Sequence, residues 1–273
     1  MSVQTADYIL GHPENELDPL GILSRAFQPF TRQLFANAGL KEGMNVLEIG
    51  SGGDVALLAA EFVGSTGTVV GIEHSEEVVE RAKHHAAERG LDNVIFMPAS
   101  IDLKLPFERD FDAVVGRIVL MFLPSPAGML GRLVEHLLPG GLVIFQEPDM
   151  SWAKSVPESP TVEKAASWMR EVFRHSGADS EIGPKLLGMF KAAGLPEPEM
   201  RVDGLIYGSN GAGPKLLADT IRAILPAIEQ IGLATQAEID IDTLEDRMRA
   251  ELAAADSTMS SPLLISAWTR LPT

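Results

Sequence analysis

Short apolar runs alternate with segments of helical spacing through the central part of the chain. Five runs rich in β-branched residues have the length of buried strands. They lie at residues 44–49, 67–72, 93–97, 111–116 and 142–146. Between them, amphipathic segments predict helices at 54–62, 75–89 and 126–138. Strands that alternate with helices predict βαβ units and a parallel sheet.

The two flanks of this region are mainly helical in pattern. An apolar periodicity over 17–39, ending at Ala38-Gly39, predicts an N-terminal helix. Beyond residue 150 the pattern predicts further helices at 161–175, 182–193, 214–231 and 242–255. Two additional strands are predicted at 200–207 and 263–269, which brings the predicted strands to seven.

Charge and composition narrow the function classes. The chain has 22 Lys and Arg against 38 Asp and Glu, a formal charge of −16, which disfavours nucleic acid and anionic membrane surfaces as partners. Cysteine is absent, which excludes disulfides, cysteine–zinc sites and thiolate nucleophiles. We find neither a signal-peptide pattern nor an apolar run long enough for a membrane span, and we predict a cytoplasmic protein.

A glycine loop follows the first predicted strand. Gly50, Ser51, Gly52 and Gly53 lead from that strand into a helix that begins near Asp54. Glycines at such a turn let the backbone approach a ligand closely, and the helix start presents free N–H groups.

An acidic residue ends the next predicted strand. Glu73 lies about 20 residues beyond the loop, where nucleotide-binding sheets place the carboxylate that binds ribose hydroxyls. The third glycine of a dinucleotide fingerprint is missing from the loop, which disfavours NAD and NADP.

Four segments together resemble a known family. VLEIGSGG, VVGIEHS, FDAVVGRIVLMFLP and LLPGGLVIFQEPD are similar, in this order, to the successive motifs of class I S-adenosylmethionine-dependent methyltransferases. The resemblance covers about residues 40–150, with weaker support near 262–270. The bacterial small-molecule branch is most similar, since its members often begin with a segment like Tyr8–His12.

The resemblance implies a fold and a domain plan. The fold is α/β and Rossmann-like, a seven-stranded, mostly parallel sheet with helices on both faces and helical lid insertions. We expect a single methyltransferase domain over 1–273. Its predicted parts are an N-terminal helical segment at 1–39, a cofactor-binding core at 40–150, and lid insertions at 151–179 and 209–258.

The resemblance also implies residue roles toward S-adenosylmethionine. Glu48 is expected near the methionine ammonium, and Gly50, Ser51 and Gly52 beside the methionyl and ribose portions. Glu73 is expected to hold the ribose hydroxyls. The further expected contacts are His74 beside the adenine, Ser100 and Ile101 after the third strand, and Arg117 at the methionine end of the cofactor.

One departure from the family pattern leaves alternatives open. Relatives usually have one more residue in the loop, which here reads G-S-G-G-D. The protein could therefore bind the cofactor yet catalyse a non-methylating reaction, or bind ligand only. We interpret Asp54 as the cap of the following helix. The alternative is that its carboxylate contacts the ammonium group of the cofactor.

Candidates for a general base, which a hydroxyl acceptor needs, are His175, Glu147 and Tyr207. Arg117 interrupts an apolar strand end and needs an anionic partner, for which we consider a ligand carboxylate or an internal acid such as Glu147. We assign no metal ligands. The expected acceptor is a small, largely apolar organic molecule, and the oligomeric state stays open, with a homodimer as one option.

Overall fold

The computed structural model describes the backbone of residues 19–50, 52–99, 105 and 111–273, with side chains from residue 26 onward. The strands it contains are β1 (Asn45–Ile49), β2 (Thr68–Glu73), β3 (Val94–Pro98), β4 (Phe111–Arg117), β5 (Leu137–Asp149), β6 (Ser155–Val156), β7 (Glu199–Asp203), β8 (Ile206–Tyr207), β9 (Thr258–Ser260) and β10 (Leu263–Arg270). The α-helices are α1 (Pro19–Ala38), α2 (Asp54–Val63), α3 (Glu76–Glu88), α4 (Pro126–Val134), α5 (Pro160–His175), α6 (Leu186–Ala192), α7 (Gly213–Gln230), α8 (Gln236–Ile239) and α9 (Leu244–Ala254).

Seven strands form one sheet in the order β3-β2-β1-β4-β5-β10-β7. The pairings β3–β2, β2–β1, β1–β4 and β4–β5 are all parallel. The predicted fold, a Rossmann-like, mostly parallel sheet with helices, is therefore confirmed. The strand order reverses between β1 and β4, which places the carboxyl ends of these two strands at the switch point where such sheets bind ligands.

The chain divides into two compact units. The first comprises residues 28–147, 182–202 and 265–273; the second comprises 148–181 and 203–264, together with the described N-terminal residues up to 27. The plan of a single domain with a lid stays a prediction.

The first unit has a core built by the sheet and α2. The β1 residues from Val46 to Ile49 are all buried, as expected for a central strand of a parallel sheet. Seven of the ten α2 residues are buried too, because α2 packs against the β1–β2–β3 part of the sheet. The next helix, α3, begins as predicted at Ser75, whose hydroxyl accepts a hydrogen bond from the Val78 N–H.

The second unit contains a small antiparallel sheet of order β6-β9-β8 and the helices α5, α7, α8 and α9. Helix α5 packs against α7 and α9. The short elements β6, β9 and α8 were not predicted. Helix α8 has a sequence signal that identifies it, since Thr235 and Glu238 form a capping box.

Three predicted elements are wrong in their bounds. The strand predicted over 142–146 extends over Leu137–Asp149 as β5. The strand predicted over 200–207 is broken into β7 and β8, which belong to different sheets. The break occurs because Leu205 exchanges hydrogen bonds with Ser261 and so leads the chain toward β9. The helix predicted over 126–138 ends at Val134, because Leu137 already pairs with Phe111 of β4.

No helix within the described ranges has both the length and the apolar character needed to cross a bilayer.

Candidate functional site

The glycine loop connects β1 to α2 and turns sharply. Gly52 and Gly53 have φ angles of +68° and +101°, values that residues with a side chain rarely adopt. A Cβ atom at Gly53 would lie 2.7 Å from the Cβ of Ala82, whereas a Cβ at Gly52 would meet nothing within 4 Å. Gly53 is therefore required for packing, and the space beside Gly52 is open.

Glu73 lies next to this loop. Ile49 and Ile72 are register partners in β1 and β2, and the Gly50 N–H donates to the Ile72 carbonyl over 2.9 Å. The Glu73 Oε1 accepts hydrogen bonds from the backbone N–H groups of His74 (2.7 Å) and Ser75 (3.3 Å). Among the described residues no group donates to its Oε2. The loop and the predicted ribose-binding carboxylate thus meet at one sheet edge.

Two further predicted residues lie close by. His74 is half exposed, and its Nδ1 is 2.6 Å from the Glu73 Oε1. Glu48 is 2% exposed on β1, opposite Gly71 of β2. A Cβ at Gly71 would lie 3.2 Å from the Glu48 Oε2 and 2.8 Å from the Phe96 ring. Glycine at this position makes room for the Glu48 carboxylate.

Arg117 ends β4 and pairs inside the protein. Its Nη2 is 2.9 Å from the Asp54 Oδ2, and its Nη1 donates to the Thr31 Oγ1 over 3.0 Å. Thr31 donates in turn to Gln146 (2.7 Å), which donates to Ser266 (3.0 Å). The sequence indicates that Arg117 needs a partner, but it does not identify Thr31 or Gln146.

Two expectations about this ion pair are wrong. The internal partner of Arg117 is Asp54 and not Glu147, because Arg117 is the register partner of Gln146 and adjacent side chains of a strand point to opposite faces. Asp54 does not cap α2 either. The cap position is Gly53, without a side-chain hydrogen bond, and Asp54 is the first helical residue.

Glu147 is fully buried and holds the turn after β4. Its Oε1 accepts from the N–H groups of Val119 (3.0 Å) and Leu120 (2.9 Å), and its Oε2 accepts from Met121 (3.4 Å). Burial raises the pKa of Glu147 from 4.5 to about 7, against the lowering effect of these three hydrogen bonds. A carboxyl with this pKa changes its charge near neutral pH.

The titration of Glu147 predicts a pH-dependent stability. Because its pKa is higher in the folded chain than the ordinary value of 4.5, the folded state retains the proton. The contribution of this retained proton to the free energy of unfolding is fully present below about pH 4.5 and is lost as the pH rises through about 7. The shift corresponds to roughly 3 kcal/mol.

We expect the free energy of unfolding of the wild type to fall relative to Glu147→Gln over this range, because Gln cannot ionise. Urea unfolding of both proteins at several pH values between 4.5 and 8 measures the difference. Curves that stay parallel would contradict the raised pKa.

The other two base candidates belong to the second compact unit, whereas Glu147 belongs to the first. His175 is the last residue of α5, and its Nδ1 lies 2.8 Å from the Glu171 carbonyl. Tyr207 ends β8, and partial burial raises the pKa of its phenol. The catalytic roles of all three remain predictions.

Ser51, Ser100 and Ile101 lie outside the described residues, as does the segment Tyr8–His12.

The fold and the site define a nucleotide-binding α/β protein, with a glycine loop and an acidic residue at the carboxyl ends of neighbouring parallel strands. A family model described as a methyltransferase domain matches residues 40–194, more than half of the chain. The chain belongs to the class I S-adenosylmethionine-dependent methyltransferases.

Individual relatives agree with this assignment. The chain is 37% identical over 132 residues to aklanonic acid methyltransferase DauC from Streptomyces sp. strain C5, covering 48% of this chain and 59% of that protein. It is 34% identical over 199 residues to nocamycin O-methyltransferase from Saccharothrix syringae, and this match covers 72% of this chain and 64% of that protein. The chain thus matches less than two thirds of the length of either relative.

Among solved structures, the YcgJ protein from Bacillus subtilis has a TM-score of 0.56 at 17% identity and covers 90% of this chain and 99% of its own. This likeness supports the fold alone.

Proposed function

We propose that this protein transfers the methyl group of S-adenosylmethionine to an oxygen atom of a small, largely apolar organic acceptor. The observation that carries the proposal is the glycine loop after β1, with no atom within 4 Å of a Cβ at Gly52, next to the parallel strand β2 that ends at Glu73. The choice of oxygen rests on the relatives, since one is named for aklanonic acid and the other as an O-methyltransferase.

The residues at the sheet edge fit the cofactor. The Oε2 of Glu73 can accept hydrogen bonds from ribose hydroxyls, and a backbone without side chain at Gly52 leaves room for the ligand. Glu48 is the proposed anion near the methionine ammonium. When bound, S-adenosylmethionine supplies an electrophilic methyl group, while the protein aligns the reactants and excludes water.

The acceptor hydroxyl has to lose a proton, and we propose His175 as the base. The Glu171 carbonyl beside its Nδ1 favours the neutral tautomer with the proton on Nδ1, which leaves the lone pair on Nε2, 3.5 Å from the Arg174 Nη2. Tyr207 is less suited because its raised pKa keeps the phenol protonated. Both oxygens of Glu147 already accept backbone hydrogen bonds.

Four remaining expectations belong to this proposal. A non-methylating reaction is not favoured, because the relatives at 37% and 34% identity are named as methyltransferases. We infer a cytoplasmic location and the exclusion of nucleic acid from the composition and the net charge. A homodimer is one option for the oligomeric state.

Replacement of Glu73 tests the ribose contact. We expect Glu73→Ala to weaken S-adenosylmethionine binding by ~1–3 kcal/mol, roughly 5- to 150-fold in Kd, since a charged hydrogen-bond acceptor is lost. Isothermal titration calorimetry measures the effect. Glu76→Ala, in the exposed first turn of α3, is the control for the loss of one negative charge. Equal Kd values for Glu73→Ala and the wild type would disprove the ribose assignment.

Turnover is tested with S-adenosylmethionine carrying a labelled methyl group and a panel of hydroxylated and carboxylated aromatic acceptors. Label in an extractable product supports the proposal, and the position of the label identifies the methylated atom. Tight cofactor binding without transfer to any acceptor would favour the non-methylating alternative. Calorimetry with NAD in place of S-adenosylmethionine should show no binding.

A further inference from the structure

One turn contacts the glycine loop at both of its ends. The turn begins at Arg117, the last residue of β4, and continues through Ile118 and Val119. At the start of the loop, a Cβ on Gly50 would lie 2.9 Å from the Val119 Cγ2. At its end, the Arg117 Nη2 lies 2.9 Å from the Oδ2 of Asp54. The turn therefore lies against the start of the loop and pairs with the first residue of α2.

The turn is itself held in a strained conformation. Ile118 has a φ of +54°, a value that a β-branched residue rarely adopts because its side chain clashes with the backbone there. Its N–H donates to the Gln146 carbonyl over 2.9 Å, and Glu147 accepts from the three N–H groups that follow. Two neighbouring residues of β5 thus hold the turn against the strain.

The Arg117 guanidinium is buried and forms hydrogen bonds to other side chains of the protein. Its side chain is 5% exposed, whereas that of Asp54 is 37% exposed. Its two terminal nitrogens donate to Asp54 and Thr31, and Thr31 continues through Gln146 to Ser266. A buried cation needs such partners, and the ion pair ties the more exposed Asp54 to the interior of the sheet.

We propose that Arg117 is a positioning residue of the glycine loop, which it holds through Asp54, and that it does not bind the cofactor or the acceptor itself. The inference rests on the proposed function, in which this loop holds S-adenosylmethionine.

A double-mutant cycle tests the proposal. Asp54→Asn removes the negative charge of the pair and Arg117→Met removes the guanidinium, each at nearly constant volume. Arg89→Met, on the exposed end of α3, is the control for a lost positive charge. Kd values are measured for S-adenosylhomocysteine and for 5′-methylthioadenosine, which lacks the amino-acid portion. Circular dichroism verifies that each variant is folded, and Asp54→Glu and Arg117→Lys replace any variant that is not.

We expect both single variants to bind each ligand roughly 10- to 100-fold more weakly, and by a similar factor. The double variant should bind little more weakly than either single variant, because the effects of substitutions at two coupled residues do not add. The loss should be equal for the two ligands, since the whole loop is displaced. A loss in Arg117→Met for S-adenosylhomocysteine alone would assign Arg117 to direct binding of the amino-acid portion and overturn the proposal. Additive losses would overturn it as well.

A second measurement does not depend on cofactor binding. Amide hydrogen exchange at residues 50–56 of the ligand-free protein should be faster in both single variants and unchanged in Arg89→Met. Unchanged exchange in Asp54→Asn and Arg117→Met would overturn the positioning role. A wild type that binds neither ligand would instead refute the proposed function, while the exchange result would still decide the role of Arg117.

Discussion

Gly53→Ala is expected to reduce the free energy of unfolding by about 3 kcal/mol or more and to impair cofactor binding. The left-handed φ of +101° costs a residue with a Cβ about 1–2 kcal/mol. The new methyl group would also lie 2.7 Å from the Cβ and 3.4 Å from the Cα of Ala82 in α3, and such overpacking costs roughly 1–3 kcal/mol. Urea unfolding and calorimetry with S-adenosylmethionine measure the two effects.

The neighbouring Gly52 and a distant glycine provide matched controls. Gly52→Ala and Gly90→Ala introduce a Cβ at positive φ, but no atom lies within 4 Å of it, so each should lose about 1–2 kcal/mol of stability from strain alone. Ala82→Gly should partly rescue Gly53→Ala, because it removes the clashing methyl group. A Gly53→Ala protein as stable as Gly90→Ala would show that the clash is relieved without cost.

Glu147→Ala is expected to destabilise the fold by about 3–5 kcal/mol at about pH 5.5, where the Glu147 carboxyl is protonated. Its removal leaves the N–H groups of Val119, Leu120 and Met121 without their acceptor in a buried site. An unsatisfied buried donor costs roughly 1–3 kcal/mol, and water that enters the cavity offsets part of the sum. Urea unfolding at this pH measures the loss.

Glu147→Gln is the control, because its amide oxygen can still accept from Val119 and Leu120, which both donate to the Oε1 of Glu147. At pH 5.5 we expect Glu147→Gln to reduce the free energy of unfolding by roughly half as much as Glu147→Ala does. The loss in Glu147→Ala should be smaller at pH 8, where the wild type bears the cost of a buried negative charge. A loss below about 1 kcal/mol at pH 5.5 would show that Glu147 does not hold the turn.

Sequence reasoning succeeded where a signal is local. The strands β1, β2, β4 and β10 have nearly the predicted bounds, because a run of β-branched residues between turn residues is sufficient to identify a buried strand. The loop at Gly50 and the carboxylate of Glu73 were expected to meet at one edge, and the parallel register of β1 and β2 brings them together.

The sequence did not predict which of several possible tertiary contacts a residue makes. The sequence indicates that Arg117 needs an anionic partner and suggests Glu147 as the internal acid, whereas the structure pairs it with Asp54. The choice depends on the face of β5 to which each side chain points, and hence on the pairing of Arg117 with Gln146. In the same way, the break between β7 and β8 depends on the two hydrogen bonds that Leu205 and Ser261 exchange, across 56 residues of sequence.

By itself, the sequence determined the alternation of strands and helices over residues 44–150, the α/β fold class, and a nucleotide site made of glycines and an acidic residue, because periodicity and spacing along the chain encode these features. Only the tertiary structure decided that Asp54 anchors Arg117 and that Glu147 supports a strained turn. These contacts join segments that are distant in sequence, and their geometry is set by strand register and by the alternation of side chains across the sheet.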